Sequence, residues 1–437
     1  MTRSHPWRFV LDRIDFLWRL LGVSLLFVVI VDIALKIVFV AADPDLVNIP
    51  DFDAKSIASA YGQVDWIAEF TREQGAVGVR AAPYVYWMAA QQTGRYINVN
   101  RDGLRYVRHH PPPGCTSPVR IFVFGGSTVF GYPARDDFTL PSALQHELEA
   151  KGKCAEVSNF GQDGYVSTQE MLLFQITLRH GNRPDIAIFY DGWNDAESAL
   201  ENADVGLTDV GLTFGEADRA RELNLTNPFH LRDRVRLYQI AAVSLVSHSG
   251  LGIAARRILK AIAPRTYRNI KGQLVRVPRQ ERPDAALARD VVDVYLKNLA
   301  FTKAIAIHFG VRCLVYWQPC LHTKRVLSKY ESFQKSLLPS QEIAFVEQVY
   351  RDAAPMTSRE GVVDLAELFG NSPDLYYVDC IHVTEAGNRV IAQAIMQDPA
   401  FLNALSSAGS ERDGRQTAPA HSSSPVKLSP PNGSQKR

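Results

Sequence analysis

Four short stretches carry residue types that together suit acyl transfer from an ester. Residues 119–125, Val-Arg-Ile-Phe-Val-Phe-Gly, are apolar and rich in strand formers, and a second glycine, Gly126, follows. Ser127 then stands where a buried strand would hand over to a helix, with two glycines before it to turn the chain and leave its hydroxyl uncovered. Next come Gly161-Gln162-Asp163-Gly164, then Asp191-Gly192-Trp193-Asn194-Asp195, and near the C-terminus Asp379-Cys380-Ile381-His382. Acyl transfer needs a hydroxyl to attack, an imidazole to take and return its proton, a carboxylate to orient the imidazole, and donors for the oxyanion. Ser127 would be the nucleophile and His382 the base. Asp379, three residues earlier, could reach the other ring nitrogen if the loop curls through a turn. The oxyanion donors would be the backbone amides of Ser127 and Gly164 and the side-chain amide of Asn194. Singly, each has a plainer explanation: a helix cap for Ser127, a turn residue for Asn194, one of eleven histidines for His382.

The elements between these stretches must bring them together. Spacing predicts strands over 119–125, 155–160, 184–190 and 311–317 and near 362–365, with helices over 140–151, 168–180 and 284–309, near 342–353, and from Thr384 onward. Strand and helix alternate, which predicts an α/β fold: a three-layer α/β/α sandwich on a central parallel sheet of about five strands. In such a sheet ligands bind at the carboxyl ends of the strands, and all four stretches follow predicted strands.

Taken in order, the four stretches resemble the sequence blocks of the SGNH hydrolases, also called GDSL esterases and lipases. That family carries a serine after a glycine-containing turn, a glycine, a Gly-x-Asn-Asp and an Asp-x-x-His. Here they fall on Ser127, Gly164, Gly192-Trp193-Asn194-Asp195 and Asp379-Cys380-Ile381-His382, within roughly residues 119–400. One departure is Gly126, which stands where the family's name block has aspartate. The resemblance implies a flavodoxin-like α/β/α sandwich and, with no cofactor, a serine esterase working through an acyl-enzyme intermediate. The expected substrate is an acetyl or short acyl group on a cell-envelope glycan or a similar extracytoplasmic molecule. Within the family, O-acyltransferases use the same residues with a sugar hydroxyl in place of water. A non-catalytic glycan-binding or assembly protein would keep only the site's shape.

The rest of the 437-residue chain suggests where this chemistry happens. Residues 20–42 are apolar enough for a transmembrane signal-anchor, interrupted by Asp32 and Lys36, four apart on one helical face, where they could neutralise each other or engage a membrane protein partner. Arg3, Arg8, Arg13 and Arg19 precede the span and Asp43, Asp45, Asp51 and Asp53 follow it, which puts residues 1–19 in the cytoplasm and the bulk of the chain outside. A cleaved signal ending near Ala42 is the competing reading. Residues 43–118 form an extracytoplasmic extension, in which 84–87 and 95–107 are expected to be short strands and the aromatics Tyr84, Tyr86 and Trp87 to pack, the alternative being that they line a sugar site. A hydrolase domain over 119–405 follows, with an insertion at about 197–283, and 406–437 are expected to be disordered. The insertion contains an apolar stretch at 237–246 and, over 256–282, nine Lys and Arg against one Glu, which reads first as a solvated basic face and, as the functional alternative, as a surface for an anionic glycan or phospholipid. Net charge is only +2, which gives no argument for a nucleic-acid partner, and none is expected. Export permits disulfides, and two are expected: Cys115 to Cys154 at the sheet's amino edge, and Cys320 to Cys380 on the carboxyl-edge loops. His322 follows the 311–317 strand near the expected site without an assigned role. No ligand spacing supports a metal site from Asp191, Asp195, His322 and His382.

Overall fold

A computed structural model describes residues 6–42, 54–62, 64–202, 204–208, 249–251, 254, 284–337, 340–357 and 360–417. The expectations for the apolar stretch 237–246, the basic stretch 256–282 and the tail beyond 417 lie outside the described residues.

In chain order the elements are helices α1 (Pro6–Ala42), α2 (Ala54–Tyr61) and α3 (Ile67–Ala76), a hairpin of β1 (Val79–Ala82) and β2 (Tyr86–Ala89), then β3 (Val119–Gly125) and α4 (Ser127–Phe130). After these come α5 (Leu140–Ala150), β4 (Ala155–Asn159), α6 (Ser167–Arg179), β5 (Ile186–Asp191) and α7 (Trp193–Asn202). The C-terminal part holds α8 (Asp284–His308), β6 (Arg312–Trp317), α9 (Lys329–Ser336), α10 (Ser340–Thr357), β7 (Val362–Asp364), α11 (Glu385–Gln397) and α12 (Pro399–Thr417).

Among the described residues, β3 to β7 form one parallel sheet in the order β4-β3-β5-β6-β7. Strand alternation sorts its side chains into two cores. Phe122, Phe124, Phe189, Val315 and Trp317 face α6, α7, α8 and α10, where Phe174, Ala196, Val291 and Phe345 meet them. Ile121, Val123, Ile188, Tyr190 and Tyr316 face α5, α11 and α12, through Leu144, Leu148, Ile391 and Phe401. The result is the three-layer sandwich expected from the alternation. Strand order reverses at β3, which has β4 on one side and β5 on the other, so a crevice opens at its carboxyl end. Side-chain caps start the flanking helices: Thr139 accepts from the Ser142 amide at α5, and Thr384 from the Gly387 amide at α11.

The structure differs from the sequence reading at four points. Helix α12 runs twelve residues into the stretch expected to be disordered, because Leu405 and Ala408 join the second core and Arg412 pairs with Asp185 at 2.6 Å. The bridge expected between Cys320 and Cys380 does not form. Their loops do meet, with the Leu321 amide donating to the Cys380 carbonyl at 2.9 Å, but both thiols are free. The Cys320 sulfur is engaged instead by His322 and Thr323 of its own turn and by Tyr350 of α10. Cys115 and Cys154, beside the starts of neighbouring strands β3 and β4, are joined in a disulfide. Residues 95–107 form isolated bridges, Gln92 to Val99 and Val99 to Arg105, rather than strands, and of the aromatic trio only Trp87 is buried.

Helix α1 is 37 residues long, and its window Trp18–Leu35 has a mean hydropathy of 2.2 with its side chains exposed. By length and composition it could span a membrane or act as a signal sequence. Asp32 on this helix accepts a hydrogen bond from the Leu251 amide at 2.8 Å, so the insertion touches α1 there.

Candidate active site

Ser127 opens α4 directly after β3, with Gly126 as the hinge between strand and helix. A Cβ built on Gly126 would lie 2.1 Å from Asn194 Nδ2 and 3.4 Å from the Tyr165 carbonyl oxygen. A side chain at this position would therefore crowd the Asn194 amide. The same close approach brings the β3, β4 and β5 loops together, with Gly126, Tyr165 and Asn194 in mutual contact. Gly192, before Asn194, has φ 123°, and a side chain there would strike the Trp317 ring at 2.9 Å.

The fourth stretch reaches the same point from the far side of the sheet. After β7 the chain closes a tight turn in which the Val378 amide donates to the His382 carbonyl at 2.8 Å. Asp379 Oδ1 accepts from the amides of Ile381 and His382 at 2.9 and 2.7 Å, which leaves Oδ2 aimed at His382 Nδ1, 2.7 Å away. The opposite ring nitrogen, Nε2, lies 2.7 Å from Ser127 Oγ. The Tyr132 ring meets the imidazole edge-on, centroids 4.9 Å apart. The turn is held from below by the buried Lys324 and Glu331 pair, 2.7 Å apart, and Glu331 accepts from the amides of Tyr376 and Tyr377.

Electrostatics suit proton transfer. Burial favours the neutral ring of His382, but the Asp379 charge and hydrogen bond outweigh it and raise the pKa above the usual 6.5. Burial acts to raise Asp379, yet the His382 charge, its hydrogen bond and the two turn amides prevail and hold the carboxylate below 3.8. Among the described residues, the amides of Ser127 and Gly164 donate to no protein group. Asn194 Nδ2 donates to the Tyr165 carbonyl at 2.7 Å, which fixes its carboxamide between the second and third loops. The arrangement thus offers a hydroxyl, a base, an orienting carboxylate and amide donors at one strand-end crevice.

Other polar residues of these stretches serve elsewhere. Asp195 accepts from the Ser167 hydroxyl at 2.6 Å and from its amide, while Asp191 accepts from the Tyr295 hydroxyl at 2.6 Å. Burial, with the neighbouring carboxylates, pushes Asp191 up to about 7 and Glu170 well above its usual value, and burial takes Asp195 to about 6. Neither Glu170 oxygen has a hydrogen-bond donor among the described residues, and burial beside Asp191 and Asp195 favours its protonated form. Among the described residues, no group of three or more His, Cys, Asp and Glu is arranged to hold a metal ion.

The sequence reading passed over several residues that frame the crevice. Gln162 spans from the extension to the second loop: its Oε1 accepts from the Ala89 amide and its Nε2 donates to the Gly103 carbonyl, both at 2.8 Å. Trp87 Nε1 donates to the Asp163 carbonyl at 2.9 Å, and the Tyr165 hydroxyl donates to the Trp87 carbonyl. Tyr61 donates to the Pro133 carbonyl at 3.3 Å and accepts from the Glu385 amide at 2.8 Å. The extension therefore packs on the loops beside Gly164, Ser127 and His382. Only Trp87, in an aromatic strand, carried a sequence signal for this; Gln162 and Tyr61 had none.

No protein-family model matches the chain, and no match is found among curated proteins. Among solved structures, matches include a lipolytic protein of the G-D-S-L family from Veillonella parvula, 11% identical, covering 64% of this chain and 96% of that one, TM-score 0.32. An acetyl xylan esterase matches at 12% identity over 64% of this chain and 98% of its own, TM-score 0.32. A carbohydrate acetylesterase family member from Sinorhizobium meliloti matches at 12% identity, over 66% and 99%, TM-score 0.31.

Proposed function

We propose that this chain is a serine ester hydrolase of the SGNH type, removing an acetyl or short acyl group from a glycan or similar extracytoplasmic molecule. The observation that carries this reading is the unbroken relay from Ser127 Oγ through His382 to Asp379, 2.7 Å at each step, beside two unengaged amides. In the proposed reaction His382 Nε2 takes the hydroxyl proton as Ser127 Oγ adds to the ester carbonyl. The oxyanion is held by the Ser127 and Gly164 amides and the Asn194 side chain. Collapse breaks the C–O bond to the alcohol, which leaves with the proton from His382. Water then enters, gives a proton to His382, and releases the acid by the reverse sequence, restoring Ser127.

The same reading assigns residues 119–405 to the hydrolase domain and 20–42 to a membrane anchor, with the N-terminus cytoplasmic. The arginines before the span and the aspartates after it support that orientation. The Cys115 to Cys154 disulfide suits an oxidising, extracytoplasmic compartment. The test is hydrolysis of 4-nitrophenyl acetate by the full chain in detergent, beside Ser127→Ala. Turnover should fall at least about a thousandfold in the variant, with an unchanged circular dichroism spectrum. Equal turnover in the two proteins would overturn the reading.

A further inference from the structure

His322 is buried, 6% exposed, on the loop that follows β6, and neither of its ring nitrogens has a hydrogen-bond partner among the described residues. Burial, helped by the Lys335 charge, pushes its pKa down to about 4, so the ring is neutral and offers one N–H and one lone pair. A buried donor or acceptor left unpaired is unfavourable, so a ring with both unpaired suits a ligand that would pair them.

The loop that carries the ring is tied to three of the four stretches described above. Thr128, next to the serine, donates to the Gln318 side chain at 3.1 Å. The Leu321 amide donates to the carbonyl of Cys380, next to Asp379, at 2.9 Å. The His322 ring itself stacks on Trp193, next to Asn194, with centroids 5.5 Å apart and planes 12° from parallel. The imidazole is thus stacked on the residue next to the proposed oxyanion group, on a loop at the same carboxyl edge. A carbonyl or an ether can only accept, and an ammonium can only donate. A hydroxyl does both, and a neutral ring suits it better than it suits an ion.

We infer that His322, braced on Trp193, binds a free hydroxyl on the alcohol portion of the ester, so that the substrate is a partly acylated sugar or polyol. This rests on the hydrolase reading for its ester, but its binding arm can be tested without turnover. In the full chain carrying Ser127→Ala, calorimetry should detect binding of a mono-acetylated methyl glucoside, weakened about tenfold or more by adding His322→Phe, which keeps the stack and removes both nitrogens. In the same Ser127→Ala protein the ligand should also shift the His322 ring nitrogen resonances, a readout that needs no substitution at 322. Equal affinity with and without His322→Phe, no binding at all, or unmoved ring resonances would each overturn the inference. In the active enzyme, His322→Phe should lower the ratio of kcat/KM for the acetylated glucoside to that for 4-nitrophenyl acetate by about tenfold. An unchanged ratio would also overturn it. Absence of serine-dependent turnover of 4-nitrophenyl acetate in the parent protein would instead count against the hydrolase reading.

Discussion

At the scale of residues, His382 is pulled in two directions. Burial favours its neutral form, while Asp379, held by two turn amides, favours the charged one and prevails. Only the neutral ring can take the serine proton, so kcat/KM for 4-nitrophenyl acetate should rise with pH through an apparent pKa above 6.5. Asp379→Asn removes the charge that raises this pKa and destabilises the required tautomer. Its profile should shift to lower pH and its kcat should fall by about 10⁴-fold, as pH–rate curves of the two proteins will show. An unshifted profile would mean that Asp379 does not set the ring's proton affinity.

Between elements, α6, β5 and α7 meet through buried acids as well as through the apolar contacts of the first core. Glu170, Asp191 and Asp195 are all buried, with Tyr295 and Ser167 donating to the two aspartates. Folding raises the pKa of each, so the native state holds protons that the unfolded chain gives up at lower pH. Such a group contributes stability below its unfolded pKa, near 4, that is lost as pH rises through its folded value. Asp191 and Asp195 place the upper end of this loss near pH 6 to 7. Glu170→Gln supplies an N–H to Asp191 without a titrating proton, so the variant should gain on the parent as pH rises from 4 to 7, by about 1 kcal/mol or more. Urea unfolding across that range measures the gap, and a gap independent of pH would show that the junction does not titrate as a unit.

For the whole molecule, the sandwich is closed at its amino edge by a covalent tie and at its carboxyl edge by the extension. The Cys115 to Cys154 bridge spans 39 residues, a loop that contains β3 and Ser127 and most of the crevice's near wall. Loop-closure entropy for that length corresponds to about 4 kcal/mol of stability. Replacing both cysteines by serine should lower the unfolding free energy by roughly that amount, and a reductant should lower the melting temperature of the parent but not of the variant. At the opposite edge, Trp87, Gln162 and Tyr61 fasten the extension to the loops of the crevice, so these residues close one side of the site.

Much of the architecture was legible in the chain itself. Apolar periodicity and glycine punctuation are local, so the alternation of strand and helix, and with it the parallel sandwich, follow from residues read a few at a time. The four stretches could likewise be found because each is short and each follows a strand. What depends on distant partners was not legible. Gln162 meets Ala89 73 positions away, Thr128 meets Gln318 across 190, and the Ser127 to His382 contact closes 255. Cys320 and Cys380 share neighbouring loops, yet their sulfurs stay apart because the Cys320 thiol is engaged by its own turn and by Tyr350. Ala408 and Arg412 draw α12 on to Thr417 through packing that composition does not announce. Likewise, nothing near His322 in sequence indicates that Trp193 would stack on it and leave its nitrogens unpaired. Local spacing determines which elements form; only closure of the long loops between them decides which polar groups meet, and so which are left facing the crevice.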